Sequence, residues 1–287
     1  MAESNVSYIS IESMSQLEQL DKEAKIADKV KKVLLRLSSN NQFGMAEEEI
    51  FEVSNHADRY PNLQLCGIHY YSGTQKNNSE KIREDLSRIR DVLERSRFVN
   101  PRIEYGPGIG AFLYGDPKNH WYQEIYEEMI QEVNLLVKQY PVTLELGRVL
   151  TADIGKYVTT VVDRKQINGK TFYIVDGGIH HLNYYAQQNG FPIPEIQSFR
   201  TGAQETVTIC GLLCTASDIL AKCITLPRAE IGDKIAFLNV GAYSVTEARV
   251  LFLSHRLPEV RIVEDDHEYK ARTNRKTYML NTQLSHR

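Results

Sequence analysis

Cysteines are few in this chain, it carries no excess of positive charge, and long apolar runs are missing. Cys66, Cys210, Cys214 and Cys223 are its four cysteines, and no pair has CxxC spacing. A disulfide framework and a thiolate zinc site are therefore not expected, and a reducing, cytoplasmic setting is. No apolar stretch approaches the roughly 20 residues that span a bilayer. The start Met1-Ala2-Glu3-Ser4-Asn5-Val6 has no basic region followed by an apolar core, so it does not read as a signal peptide. Lys and Arg total 34 against 37 Asp and Glu, a net charge of -3, and no basic stripe with interleaved aromatics occurs. Nucleic acid is excluded as the expected partner on that ground, and a membrane on the former. What remains is ordinary globular composition, 42% hydrophobic and 25% charged over 287 residues, enough for one large domain or two smaller ones.

The first half alternates strand-like and helix-like segments. Ser7 to Ser13 alternates as a strand, and Ser13 or Ser15 caps a helix with Leu17, Leu20, Ala24 and Ala27 on one face. Val33 to Leu37 reads as a strand buried on both faces. Met45 to Val53 reads as a short helix with glutamates near its start. Leu63 to Tyr71 is a third strand, Ser79 to Leu93 a helix, Arg102 to Tyr105 a fourth strand and His120 to Tyr140 a long helix. Pro141 to Arg148 reads as a short buried strand ending in Glu145, Gly147 and Arg148. Five strands alternating with helices imply a parallel sheet with right-handed crossovers. Polar, glycine-containing segments follow the strands, where parallel α/β folds place their sites.

From Thr151 onward strands crowd together. Tyr157 to Arg164, Thr171 to Asp176, Glu205 to Gly211 and Lys234 to Val240 read as strands, with Asn168-Gly169 as a hairpin turn. Val260 to Val263 reads as the last core strand. The expected division is an α/β domain over residues 1-150, an antiparallel β-domain over 151-266 and a polar, poorly packed tail over 267-287. No internal repeat is visible.

Several segments carry potential chemistry. Gly106-Pro107-Gly108-Ile109-Gly110, after a strand, is suited to cradle a phosphate with backbone N–H groups. Ser72-Gly73-Thr74 offers hydroxyls at the neighbouring strand end, and Arg148 a guanidinium. Each alone reads equally as a turn, but all three fall on strand ends. Glu145 has the character of a carboxylate that pairs with a protonated ring nitrogen. Tyr71 and His69 share one strand face, for stacking on a flat ligand or for packing. Cys214 is either a reactive thiol or a small buried hydrophobe, and Tyr243 either a ligand contact or a turn residue. His180-His181 lacks the spacing of a metal site.

In their order, these motifs resemble the fold-type III pyridoxal-phosphate enzymes, the group of diaminopimelate, ornithine and arginine decarboxylases. Gly67 to Gln75 resembles that family's His-x-Gly-Ser strand end. Gly106 to Gly110 resembles its phosphate loop, and Glu145-Leu146-Gly147-Arg148 its Glu-Pro-Gly-Arg. Asp176-Gly177-Gly178, Cys214 to Asp218 and Gly241-Ala242-Tyr243 resemble later motifs. Phe252-Leu253-Ser254-His255 resembles a subset acting in siderophore and other specialised amine pathways.

The resemblance implies a partial (β/α)8 barrel, about its last five strands, followed by a β-domain. The implied cofactor is pyridoxal 5'-phosphate. Glu145 would pair with the ring nitrogen, and Tyr71 would stack where the family has a His. Thr74, Gly108, Gly110, Arg148 and Tyr243 would surround the phosphate. Cys214 would return a proton after decarboxylation, at a dimer interface, and Asp176 and Asp218 would lie by a small amino-acid substrate. Leu146 replaces a Pro, and Thr215 stands where an acidic residue contacts a distal amine. The family's Schiff-base lysine lies on its first strand, and Lys29, Lys31 and Lys32 sit in a helix-to-strand connection instead. The implication is that about three strands and the lysine precede Met1 or come from a partner chain. The implied function is the C-terminal portion of an amino-acid decarboxylase; the alternative is a non-catalytic binding or scaffold homologue.

Overall fold

Apolar periodicity in the first half translates directly into elements. The computed structural model describes residues 5–111, 121–183 and 195–282. These fall into two compact units, one within Met1–Gly110 and Lys118–Leu146, the other within Ala111–Pro117 and Gly147–Arg287.

The first unit is a five-stranded parallel sheet in sequential order: β1 (Ile9–Ile11), β2 (Lys31–Leu37), β3 (Leu63–Tyr71), β4 (Arg102–Gly106) and β5 (Val142–Leu144). Helices α1 (Met14–Ile26), α2 (Glu47–Asn55), α3 (Ser79–Arg95) and α4 (Trp121–Val137) fall between the strands. Leu17, Leu20 and Ala24 bury one face of α1, and Ser13 caps it by accepting from the Gln16 amide at 3.2 Å. Ile82, Leu86, Ile89 and Leu93 do the same for α3, where Asn78 accepts from the Glu80 amide. In β2, consecutive Val33, Leu34 and Leu35 are all buried, as expected of a strand covered on both faces.

Two expectations need correction here. Only Val142 to Leu144 of the Pro141–Arg148 stretch joins the ladder, and Leu144 is 40% exposed. Its position as the last strand of the sheet leaves one side without a strand neighbour among the described residues of its unit, and Arg148 instead opens a short helix. Lys31 and Lys32 belong to β2 itself, at its amino end, opposite the strand ends that carry the polar turns.

The second unit starts with α5 (Arg148–Thr151) and continues with β6 (Tyr157–Ile167), β7 (Lys170–Val175), β8 (Ile196–Ser198), β9 (Gln204–Cys210), β10 (Ile219–Pro227) and β11 (Lys234–Phe237). The sheet order is β10-β9-β7-β6-β11-β8. Asn168 and Gly169 turn β6 into β7, both with positive φ, the requirement of a tight hairpin turn. The sheet is mixed rather than wholly antiparallel, because β7 and β9 pair in parallel. β10 escaped the sequence reading because its ladder slips register twice and Cys223 sits at φ 53, so its side chains do not alternate cleanly.

β12 (Val260–Glu264) and β13 (His267–Arg272) pair only with each other among the described residues. Val260 to Val263 is therefore not a core strand, and the expected boundary at 266/267 falls inside a hairpin. Nor is the following segment loose as far as it is described. α6 (Tyr278–Thr282) follows buried Thr277, whose hydroxyl donates to the His255 carbonyl, and the Leu257 amide donates to Arg275.

His180, His181 and His255 stack in this unit, with ring centroids 4.1 and 4.6 Å apart. His181 Nε2 donates to the Arg256 carbonyl at 2.7 Å, which leaves Nδ1 to accept from the Tyr157 hydroxyl at 3.0 Å. His180 is almost wholly buried, and burial, with the two neighbouring imidazoles, lowers its pKa to about 3. An unfolded histidine takes up its proton near pH 6.5. Between those values the unfolded chain binds a proton that the folded one refuses. Stability is thus full above pH 6.5 and falls as pH drops toward 3, by up to about 1.4 kcal/mol per pH unit for this one group. Denaturant titrations of wild type and His180→Phe between pH 7 and pH 4 are expected to show a shallower acid loss in the variant.

Candidate functional site

The carboxyl ends of β3 and β4 carry side chains to two opposite faces of the first sheet. Tyr70 and Tyr105 turn toward α3, meeting Arg88 and Asp85 there. His69, Tyr71 and Glu104 belong to the other face, where register places His69 beside Glu104 and Tyr71 beside Gly106. Glu145 follows β5, and its amide donates to the Tyr105 carbonyl at 2.9 Å.

On that face Glu145 collects two partners. Its Oε2 lies 3.3 Å from His69 Nε2, and His69 Nδ1 lies 2.7 Å from the Ser10 hydroxyl. A carboxylate only accepts, so Nε2 carries the imidazole proton and Nδ1 accepts from Ser10. Burial holds the His69 pKa low, with the nearby Arg36 adding to the shift, so the ring is neutral. The Glu104 pKa is raised, first by burial and then by its hydrogen bond to Glu145. Glu145 thus lies beside both His69 and Glu104, with its side chain 43% exposed.

Gly106 lies between Tyr71 and Glu145 and admits no side chain. A Cβ there would approach the Tyr71 ring to 2.5 Å and Glu145 Oε2 to 3.2 Å. The next glycine, Gly108, has φ +62, and a Cβ would sit 1.8 Å from the Gly73 carbonyl oxygen. The two turns expected to bind a phosphate, Ser72 to Gln75 and Gly106 to Gly110, thus touch backbone to backbone. Thr74 is exposed on the first turn, and Gly110 is buried on the second.

The second unit assembles its own set. Arg148 is buried, its guanidinium 4.9 Å from the centre of the Tyr243 ring, with Nη1 donating to the Ala242 carbonyl at 3.4 Å. A Cβ on Gly147 would lie 2.4 Å from the Tyr243 hydroxyl, which explains the glycine. Tyr243 itself has φ +62, a conformation that a bulky residue adopts only where its surroundings impose it. The Gly147-Arg148 and Gly241-Ala242-Tyr243 motifs are therefore one packed cluster.

Cys214 is exposed on the loop after β9. Asp218 differs from expectation. It is only 3% exposed, and its two oxygens accept the Ile179 amide at 2.8 Å and the Leu213 amide at 2.7 Å. This fastens the Gly177-Gly178 break to the Cys214 loop and is not the placement of a substrate contact. Asp176 is exposed and accepts from the Thr159 hydroxyl and the Thr160 amide. Sequence reading missed Glu104 and Ser10. Alternation along β4 was the available signal for Glu104, two residues before Gly106 on the same face.

Substituting Gly108 with Ala is expected to lower unfolding free energy by about 2 kcal/mol or more, read by urea denaturation, because both a positive φ and a backbone clash oppose the methyl.

Comparison with known proteins places the chain in a family. The family model described as pyridoxal-dependent decarboxylase, C-terminal sheet domain, matches residues 20–241. The L-glutamyl-(BtrI acyl-carrier protein) decarboxylase of Niallia circulans is 29% identical over 298 residues, 93% of this chain and 69% of that protein. A diaminopimelate decarboxylase of Neisseria meningitidis is 26% identical over 293 residues, covering 95% of this chain and 70% of its own length. The crystal structure of diaminopimelate decarboxylase from M. jannaschii with L-lysine superposes with a TM-score of 0.83 at 19% identity, over 98% of this chain and 70% of that one, and so shares its fold. With most of its length matched by the family model, the chain belongs to the pyridoxal-dependent decarboxylases.

Proposed function

We propose that this chain is the cofactor-holding and C-terminal portion of an amino-acid decarboxylase, completed by polypeptide that supplies the Schiff-base lysine. The observation that carries the reading is Glu145, a half-exposed carboxyl group that accepts from His69 and lies beside Glu104 and a glycine floor. Pyridoxal phosphate, when bound, supplies the electron sink for loss of an α-carboxylate. Glu145 holds the proton on the ring nitrogen, which keeps that sink strong. Tyr71 offers its ring as the stacking surface. Thr74, Gly108, Gly110, Arg148 and Tyr243 are assigned to the phosphate, Arg148 for its fork of donors. Cys214 is assigned the return of a proton to carbon, from a dimer interface, with Asp176 near the substrate. The substrate class is a small amino acid or a carrier-bound derivative of one. Thr215, uncharged, is not suited to hold a distal amine.

The residues fit the cofactor on structural grounds. Gly106 and Gly108 leave no room for side chains, and His69 and Glu104 both lie at the Glu145 carboxyl group. The five parallel strands are read as part of an eight-stranded barrel, with further strands added at the outer edge of β1. Lys31 and Lys32 lie at the wrong strand end for the cofactor. The proposed setting is cytoplasmic.

Titration of the purified chain with pyridoxal phosphate, followed by absorbance, is expected to show binding that Glu145→Ala weakens by about tenfold or more. Glu104→Gln keeps a hydrogen-bonding side chain beside Glu145 and is expected to bind nearly as wild type, whereas Glu104→Ala is expected to bind less well. Borohydride treatment and peptide mapping test the source of the lysine: cofactor fixed to a lysine of this chain would overturn that part of the reading.

A further inference from the structure

One buried ion pair lies outside the ring site and is not used by the chemistry above. Lys76 and Asp85 are each 7% exposed and contact directly through Nζ and Oδ2. Asp85, on α3, also accepts the Ser72 hydroxyl at 2.8 Å and the Tyr105 hydroxyl at 2.7 Å. Lys76 Nζ donates in addition to Ser72 Oγ at 2.5 Å. The carboxylate thus gathers a lysine, a serine and a tyrosine from the turn after β3 and from β4. An ion pair this buried is retained only if its geometry and extra hydrogen bonds offset desolvation, which this network supplies.

The backbone of Lys76 explains where the network acts. Its amide donates to the Gly108 carbonyl at 2.9 Å, and its carbonyl accepts the Gly110 amide at 2.8 Å. Lys76 and Ile109 form an isolated parallel bridge. Lys76 is therefore stitched by its main chain to the second glycine turn and by its side chain to α3, while it belongs to the first turn. Its ammonium faces the helix side of the sheet with Tyr105, away from Tyr71 and Glu145. That placement excludes it as the lysine that bonds to the cofactor.

We infer that Lys76 and Asp85 form a positioning pair that sets the two glycine turns at the spacing needed to hold a phosphate ester. The inference rests on the reading that these turns take the phosphate of the cofactor. The pair acts at one remove, since neither side chain touches the anion. Anion affinity through backbone amides depends on their mutual orientation, and the turns have φ +135 at Gly73, +56 at Gln75 and +62 at Gly108, which loosen without an external brace.

The test compares the full chain, Lys76→Met and the double variant Lys76→Met/Asp85→Leu for affinity toward pyridoxal 5'-phosphate and toward pyridoxal, which lacks the phosphate. The double variant removes the stranded buried carboxylate and keeps the unit folded, as thermal melting will show. Wild type is expected to prefer the phosphate ester. Both variants are expected to lose roughly tenfold of that preference, with pyridoxal affinity unchanged. A folded double variant that keeps the wild-type preference overturns the inference. A wild type with no preference for the ester overturns the phosphate reading itself and this inference with it.

Discussion

Alternation along two adjacent parallel strands governs the first unit. β3 and β4 end in register, so His69, Tyr71, Glu104 and Gly106 share one face while Tyr70 and Tyr105 share the other. The first face is polar and open, and it brings Glu104 and His69 beside Glu145. The second face is closed against α3, where the Tyr70 and Tyr105 hydroxyls meet Arg88 and Asp85. A slip of one residue in either strand would exchange the two sets and put Tyr105 where the carboxylates are. The buried apolar runs that lock register, Ile68 and Ile103 among them, are thus what keeps ligand chemistry apart from structural charge.

Glycines in this chain work mostly by what they leave out. Gly106 makes room for an aromatic ring and a carboxylate, Gly147 for a phenol, Gly108 for a neighbouring backbone. In each case the sterically excluded atom is a methyl's worth of volume, and the group that benefits belongs to a different motif. That is why short motifs far apart in sequence behave as units: Gly106 cannot vary without moving Tyr71, nor Gly147 without moving Tyr243.

The architecture of the first half was legible because helices with strong apolar stripes and buried strands follow period rules closely. The legible part of the site was the set of residues on strand ends. What was not legible has identifiable causes. β5 looked buried from composition, since apolar residues on an edge strand read the same as those in the middle. β10 was hidden by register slips. β13 was hidden because a hairpin exposed on both sides has no apolar alternation to detect. Asp218 looked like a ligand contact because a sequence cannot say that two backbone amides already claim its oxygens. Lys76 drew no notice because nothing local marks a lysine whose partner is nine residues away on a helix.

The parallel sheet ends in strands of three residues on both sides, β1 and β5. So short a ladder exposes few backbone groups, which limits self-association of the chain through its edges. The same brevity means that main-chain hydrogen bonds alone contribute little to strand addition there. Beside β1 runs a groove of about 680 Å³, lined by exposed Ile26 and by the polar side chains of Glu12, Gln16, Gln19 and Glu23, while Ile9, Ile11 and Leu20 at its floor are already buried. Anything that settles in that groove therefore meets carboxyl and amide groups as well as apolar surface, and both would shape what it accepts.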